Sequence, residues 1–233
     1  RIIDTFSNLS KKYKINAAIK LQFRQLDSFI HKDYIDSDVK HVKRFKDTRL
    51  SSEEFREMVN YIKDSGLKCA VTPFDNESLA MIDELDIDVV KIASCSIDDW
   101  PLLLEVAKLK NKKFIISTGG ASLKTLEKTY RLFKKNNCNF SFLHCVSEYP
   151  TKIEDANLNR ITQISNYFPD IDVGFSTHES PDKKSLVPYA ISMGAKIIEK
   201  HVGIPTESWP LNKYSCNPQQ IESLFKEINT IKS

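Results

Sequence analysis

The stretch 1-RIIDTFSNLSKKYK-14 places Ile2, Ile3, Phe6 and Leu9 on one face of a helical period, and its reading decides the fold. A helix that comes before any strand is the second half of a strand–helix unit. Seven segments downstream have the look of strands buried on both faces: 15-INAAIKLQF-23, 67-LKCAVTPF-74, 87-IDVVKIAS-94, 113-KFIISTG-119, 139-NFSFLHCV-146, 171-IDVGFST-177 and 196-KIIEKHV-202. They are β-branched or aromatic and nearly continuous in hydrophobicity, and they recur roughly every 25 residues with a helical segment after each. Seven such units suit either a barrel or an open doubly wound sheet. Adding the strand that the opening helix implies makes eight, the number that closes a TIM (β/α)8 barrel. The expectation is an α/β TIM barrel forming one domain over residues 1–233, with its first strand upstream of Arg1.

The segments between the strands carry the helical period. In 52-SEEFREMVNYIKDSG-66, Phe55, Met58, Val59 and Ile62 form one apolar face and Gly66 supplies the stop. Further helices are predicted over 76–85, 98–109, 122–136, 157–168, 181–194 and 217–231. Asp98, Ser122 and Asn217 stand where N-caps belong, while Pro101, Pro181 and Pro218 fall in or near first turns.

Composition removes several function classes. A net charge of +3, spread along the chain, gives no basic block of the kind nucleic-acid binders carry. The densest cationic stretch, 40-KHVKRFKDTR-49, reads as a solvated loop. No apolar run approaches the ~20 residues of a membrane span. Five cysteines, odd in number and without a C-x-x-C pair, argue for a reducing compartment, so the expected location is cytoplasmic.

In a barrel, chemistry collects at the C-terminal ends of the strands. The polar residues there are Lys20, Gln22, Thr72, Lys91, Ser94, Ser117, Thr118, His144, Ser147, Ser176, His178, Lys200 and His201. A lysine inside an apolar strand is uncommon because an unpaired buried ammonium is costly, yet Lys20 and Lys91 each interrupt one. With the hydroxyls they make a rim suited to a small oxyanion bearing several charges, such as a phosphate with a carboxylate. His178 and His201 close two successive strands. Each alone reads as structural; together they put two imidazoles within reach of one divalent metal and leave positions open for water and substrate.

The motifs 18-AIKLQ-22, 71-VTPFD-75, 90-VKIAS-94, 115-IISTGG-120, 143-LHCVSEYPT-151, 174-GFSTHE-179 and 199-EKHV-202, in this order, resemble the sialic acid (N-acetylneuraminate) synthase family. The resemblance runs from about residue 17 to 218. It implies a TIM barrel, often followed by a small antifreeze-like domain that lids the neighbouring subunit's site in a homodimer. No such domain is found in these residues. It implies condensation of phosphoenolpyruvate with an N-acetylated amino sugar such as N-acetylmannosamine, giving a nine-carbon 2-keto sugar acid and phosphate. By motif, Lys20, Gln22, Thr72, Lys91, Ser94, Ser117 and Ser176 correspond to the substrate pocket, Lys20 and Lys91 acting also in catalysis. Ser147 falls where an asparagine is usual, and His178 and His201 correspond to ligands of Mn²⁺ or another divalent metal.

Three departures bear on the chemistry. Ser96 stands where the family commonly has a glutamate. The aspartate usual after the second histidine is absent, and 209-WPLNKYS-215 offers Leu211 or Asn212. The strand with the family's first glutamate is not in the chain. Glu148 and Glu179, beside the rim motifs, are the replacement carboxylates expected to act in catalysis. Glu148 is favoured because Pro150 makes 146–151 a loop. Competing readings are a non-catalytic homologue that binds phosphate or sugar acid and has lost the base, and another phosphoenolpyruvate-condensing aldolase. Sugar selectivity is assigned to residues 24–50 and 203–216.

Overall fold

The computed structural model describes residues 1–207 and 210–232, so Trp209, in the segment read for a substitute aspartate, lies outside the described residues. The seven strands are β1 Ala18–Phe23, β2 Lys68–Pro73, β3 Val89–Ile92, β4 Lys113–Ser117, β5 Asn139–His144, β6 Val173–Thr177 and β7 Ile198–Lys200. The helices are α1 Ile2–Tyr13, α2 Leu26–Phe29, α3 Lys40–Asp47, α4 Ser52–Asp64, α5 Glu77–Glu84, α6 Trp100–Val106, α7 Leu123–Lys135, α8 Asn159–Tyr167, α9 Val187–Ser192 and α10 Pro218–Lys232. All seven strands pair in parallel and in sequence order, so each connection is a crossover that lays helices on the sheet. The result is a curled, TIM-barrel-like α/β sheet with β1 and β7 at its two ends among the described residues.

Local chemistry explains where the helices start. Ser51 and Glu54 form a reciprocal capping box at the head of α4, and the Ser122 hydroxyl accepts the Thr125 N–H at the head of α7. Asn217 and Gln220 satisfy one another's backbone N–H groups at 2.9 Å each, which begins α10. At α6 the cap is Asp99 rather than Asp98, because the Asp99 carboxylate is the one that accepts from Leu102 N at 3.2 Å. The predicted helix over 181–194 contracts to α9, with Pro188 rather than Pro181 in its first turn. The basic stretch read as a loop is helical over Lys40–Asp47, and Phe45 packs its ring against Phe29 at 5.9 Å. One aromatic anchor there offsets the poor packing of an otherwise charged segment.

The main core lies between the sheet's outer face and the helices. Phe114, Phe133, Phe140, Phe142 and Phe168 form a chain of ring contacts 5.3–5.7 Å apart. Phe6 and Tyr13 of α1 pack on Phe225 of α10, while Lys12 and Tyr13 both reach Glu222. The first and last helices are thereby joined, which draws the two ends of the sheet together. The inner face holds different residues: Ala70, Val89, Leu143 and Cys145 are buried but belong to no part of that core.

Gly174, on the inner face of β6, shows how closely the last strands approach. A Cβ built there would meet the Ile197 carbonyl oxygen at 2.3 Å, and that oxygen already accepts the Phe175 N–H at 2.8 Å. Gly174→Ala must therefore push β7 away, and a loss of about 1–3 kcal/mol is expected from overpacking. Urea unfolding followed by far-UV circular dichroism measures this; an unchanged midpoint would contradict the close approach.

Candidate functional site

Strand alternation sorts the polar residues into two sets. The register pairs Lys20 with Ala70, Gln22 with Thr72, Lys91 with Ile115, Ser117 with Leu143, and Ser176 with Glu199. Lys20, Gln22, Thr72, Lys91, Ser117, Ser176 and Glu199 therefore share the inner face, and His178 and His201 continue it just beyond β6 and β7. The sequence reading put Thr118, His144, Glu179 and Lys200 at the same rim, but they turn to the helix side. There the Thr118 hydroxyl donates to Leu143 O at 3.2 Å, and a His144 ring nitrogen bonds Ala156 O at 2.8 Å.

Glu179 and Lys200 form an ion pair of 3.2 Å with side chains only 3% and 6% exposed. The Glu179 carboxylate also accepts from the Thr177 hydroxyl and from Leu186 N, and Lys200 donates to the Glu179 carbonyl. This carboxylate fastens the segment leading into α9 onto β7. Glu148 is placed differently: it is half-buried on the loop after β5, and its carboxylate accepts only a long 3.5 Å contact from Lys152 N. Ser96 is buried in a short 3-10 turn that brings no carboxylate to its position.

A charge cluster that sequence reasoning missed fills the centre of the inner face. Glu199 lies 3.3 Å from Lys20 and 3.8 Å from Lys91, and it accepts the Ser176 hydroxyl at 2.8 Å. Lys91 also donates to the Ser117 hydroxyl at 2.6 Å and to Ile92 O at 3.0 Å. Burial pushes Lys91 below the usual lysine range, and the Glu199 charge opposes that push. Burial alone would raise the Glu199 carboxyl, but Lys91, Lys20 and the Ser176 hydroxyl hold it down at about 2. A signal for Glu199 was present in the sequence: it precedes His201 by two residues, so alternation aims it at the same space as both inward lysines.

Beside this cluster, the Thr72 hydroxyl is 1% exposed and has no hydrogen-bond partner. The turn after β4 is equally tight. A Cβ on Gly119 would meet the Ser147 hydroxyl at 2.6 Å and Cys145 Sγ and the Ser94 hydroxyl at 2.8 Å each. Only a glycine lets Ser94, Cys145 and Ser147 converge there, and Ser94 Oγ sits 3.0 Å from Cys145 Sγ.

The His178 and His201 rings lie 5.4 Å apart between centroids. Burial lowers both to about 4, helped at His201 by the Lys20 charge, so both imidazoles are neutral near pH 7. His178 Nδ1 is buried without a partner. Two neutral imidazoles, one with an unused nitrogen, are a donor set that suits a divalent ion. Among the described residues no group of three His, Cys, Asp or Glu side chains is gathered at one point, so an ion held by the pair would take its remaining ligands from water or substrate. The loops hold the pair in place: Thr151 N donates to His178 O at 3.1 Å, and Cys216 N donates to His201 O at 2.9 Å. Tyr149 and Tyr214 cover the two rings at 4.4 and 4.9 Å, another contribution that the sequence reading missed. Asn212 caps a local turn by accepting Tyr214 N, while Leu211 packs over Gly203.

The curled parallel sheet thus gathers cations, hydroxyls and a histidine pair at its strand ends, the place where chemistry collects in barrel-type folds. The chain belongs to the NeuB family, whose profile matches residues 10–233. It is 30% identical to an N-acetylneuraminate-9-phosphate synthase of Mus musculus over 184 residues, covering 78% of this chain and 50% of that protein. It is 33% identical to an N,N'-diacetyllegionaminic acid synthase of Campylobacter jejuni over 200 residues, covering 84% of this chain and 59% of that one. A crystallised N-acetylneuraminic acid synthetase from Leptospira borgpetersenii superposes with a TM-score of 0.87 at 29% identity, covering 100% of this chain and 77% of that chain. The chain spans about half the length of the first curated relatives it matches. Among the described residues, no helix is long and apolar enough to cross a membrane.

The Glu199 cluster makes a direct prediction. Breaking a fully buried ion pair by removing one partner costs about 3–5 kcal/mol, because the remaining charge is uncompensated. With its side chain 19% exposed, Glu199→Gln is expected to fall short of that range while exceeding the ~1 kcal/mol of a surface pair. Equilibrium unfolding at pH 7 tests it, and a loss within surface-pair size would show that the lysines do not depend on this carboxylate.

Proposed function

We propose that the protein condenses phosphoenolpyruvate with an N-acetylated amino sugar, giving a nine-carbon 2-keto sugar acid and phosphate. The observation that carries this reading is the inner-face group Lys20–Glu199–Lys91–Ser117 directly beneath the histidine pair. Lys20 and Lys91 balance the charge of phosphoenolpyruvate, while Thr72, Ser94, Ser117, Ser147 and Ser176 offer hydroxyls to its phosphate and carboxylate. The unpartnered Thr72 hydroxyl gains on binding a bond that it lacks in the free protein. Glu199 fixes the lysines in place before the ligand arrives, so little reorganisation accompanies binding. His178 and His201 would hold Mn²⁺ or a similar ion, which supplies Lewis-acid polarisation of the sugar aldehyde.

In the reaction the phosphoenolpyruvate double bond supplies the electron pair that joins its C3 to the aldehyde carbon, and the aldehyde oxygen takes a proton. Water adds at C2 and gives up a proton, and phosphate leaves. Glu148 is assigned as the proton acceptor. It stands on the mouth loop two residues before Pro150 and is held by one long contact, whereas Glu179 is committed to Lys200 on the helix side. A second reading, a binding protein without turnover, is favoured by Ser96, which brings no carboxylate to the place where the family commonly has one.

Phosphate release by the full-length protein with Mn²⁺, assayed over a panel of N-acetylated amino sugars, separates the two readings. Release that depends on both substrates is expected, and none under any condition would favour the binding protein. His178→Ala or His201→Ala is expected to remove the dependence on Mn²⁺ with the far-UV spectrum unchanged. Thr72→Val removes an unsatisfied buried hydroxyl, so the free protein should hold or gain stability while phosphoenolpyruvate affinity falls about tenfold. Glu148→Gln should lower turnover by ~10²-fold or more with phosphoenolpyruvate affinity nearly unchanged; full turnover in that variant and in Glu179→Gln would dismiss both carboxylates.

A further inference from the structure

We propose that Arg24 reads a phosphate monoester at the non-reacting end of the acceptor sugar, so that the preferred acceptor is a terminally phosphorylated N-acylated amino sugar. This rests on the synthase reading and narrows its substrate class. Arg24 follows β1 directly, and its Nη2 donates to Gln22 Oε1 at 2.6 Å. Gln22 stands on the inner face two residues, roughly 7 Å, further out than Lys20 along the strand. Arg24 is therefore linked to the pocket's outer tier, at a separation from the reacting centre that suits the far end of a sugar chain.

The guanidinium is held in an unusual way. Its central carbon lies 4.1 Å from the Phe74 ring centroid, 4.5 Å from Phe45 and 5.9 Å from Phe29. Among the described residues no carboxylate forms a salt bridge with it, and its Nε is buried without a hydrogen-bond partner. Asp75, the nearby acid, is spent on Gln25 N, Ser78 N and the Ser78 hydroxyl. Burial pushes Arg24 below the usual arginine range and the Arg44 charge adds to that push, while Cys95 and Asp75 oppose it. Cation–π contacts recover part of the cost of burying the charge, but they do not supply an anion. A half-buried arginine commonly faces a carboxylate or phosphate, because the guanidinium fork matches two oxygens at once.

A dense set of cations lies on the neighbouring helix. α3, which carries Phe45, bears Lys40, Lys43, Arg44 and Lys46 against the single acid Asp47. A neutral sugar hydroxyl gives such a site little. A dianionic phosphate satisfies the fork and the field of α3 together. The relatives include one synthase named for a 9-phosphate product and another named for a free sugar acid, so both acceptor types exist among proteins of this kind.

The test compares a terminally phosphorylated N-acylated amino sugar with its neutral parent, using the full-length protein with Mn²⁺ and phosphoenolpyruvate. A kcat/KM at least tenfold higher for the phosphorylated sugar is expected. Arg24→Gln should cut that preference tenfold or more beyond any loss common to both sugars, with KM for phosphoenolpyruvate unmoved. Arg24→Lys, which keeps the charge and loses the fork, should retain an intermediate preference. Equal use of the two sugars, or an equal loss on both in Arg24→Gln, would overturn the proposal and leave Arg24 as a staple between the barrel and residues 24–50. Calorimetry with the corresponding alditol and alditol phosphate, with and without phosphoenolpyruvate, tests the site independently of turnover. Selective binding of the alditol phosphate without condensation would uphold the anion site and dismiss the synthase reading, whereas equal binding of the two alditols would overturn the anion site.

Discussion

Two ammonium groups on the inside of a hydrophobic sheet need a counter-charge, and Glu199 provides it. Its carboxylate touches Lys20, Lys91 and Ser176 from a position on β7, so it spans the interior from the first strand to the last. Without it the two amines would face each other uncompensated, and Lys91, only 4% exposed, would lose the charge that opposes its burial. The arrangement sets two amines against one carboxylate, with both histidines neutral beside them. The proposed anionic substrate would meet this surplus of amines over carboxylates, which a single shared Glu199 makes tolerable in the free protein.

The sheet separates two kinds of buried ion pair, and the contrast explains their roles. On the helix side, Glu179 and Lys200 are buried and engaged by one another, Thr177, Leu186 N and the Glu179 carbonyl. On the inner side, the Thr72 hydroxyl and His178 Nδ1 have capacity to spare. A saturated pair holds structure, and an unsaturated group awaits a partner. The two sets alternate residue by residue along β6 and β7, so a shift of register by one would exchange them.

Much of this was legible in the sequence because continuous β-branched and aromatic runs mark parallel strands, and all seven runs became strands within a few residues. The inward lysines, the hydroxyls and the histidine pair were legible for the same reason: an interruption of an apolar strand needs a cause. Facing was harder. A strand end has two sides, and His144, Glu179 and Lys200, neighbours in sequence of the inward residues, face the helices. Glu199 was overlooked although it obeys the same alternation. The cage around Arg24 could not be read at all, since it gathers Phe29, Phe45 and Phe74 from three separate segments, one of them a basic stretch whose composition argued for a loop. Helix starts failed where two candidates stood side by side, as with Asp98 and Asp99, since local geometry alone decides which carboxylate faces the amide.

Strands in sequence order carry a consequence for the birth of the protein. Every strand except β5 gives the pocket a side chain from within its own span, and the last contributions, Glu199 and His201, come from and just beyond β7. The inner-face group is therefore incomplete until synthesis has passed residue 201. Anything that engaged both Lys20 and His201 would tie the two ends of the sheet like a clasp, and it would favour the finished sheet over every partly assembled one.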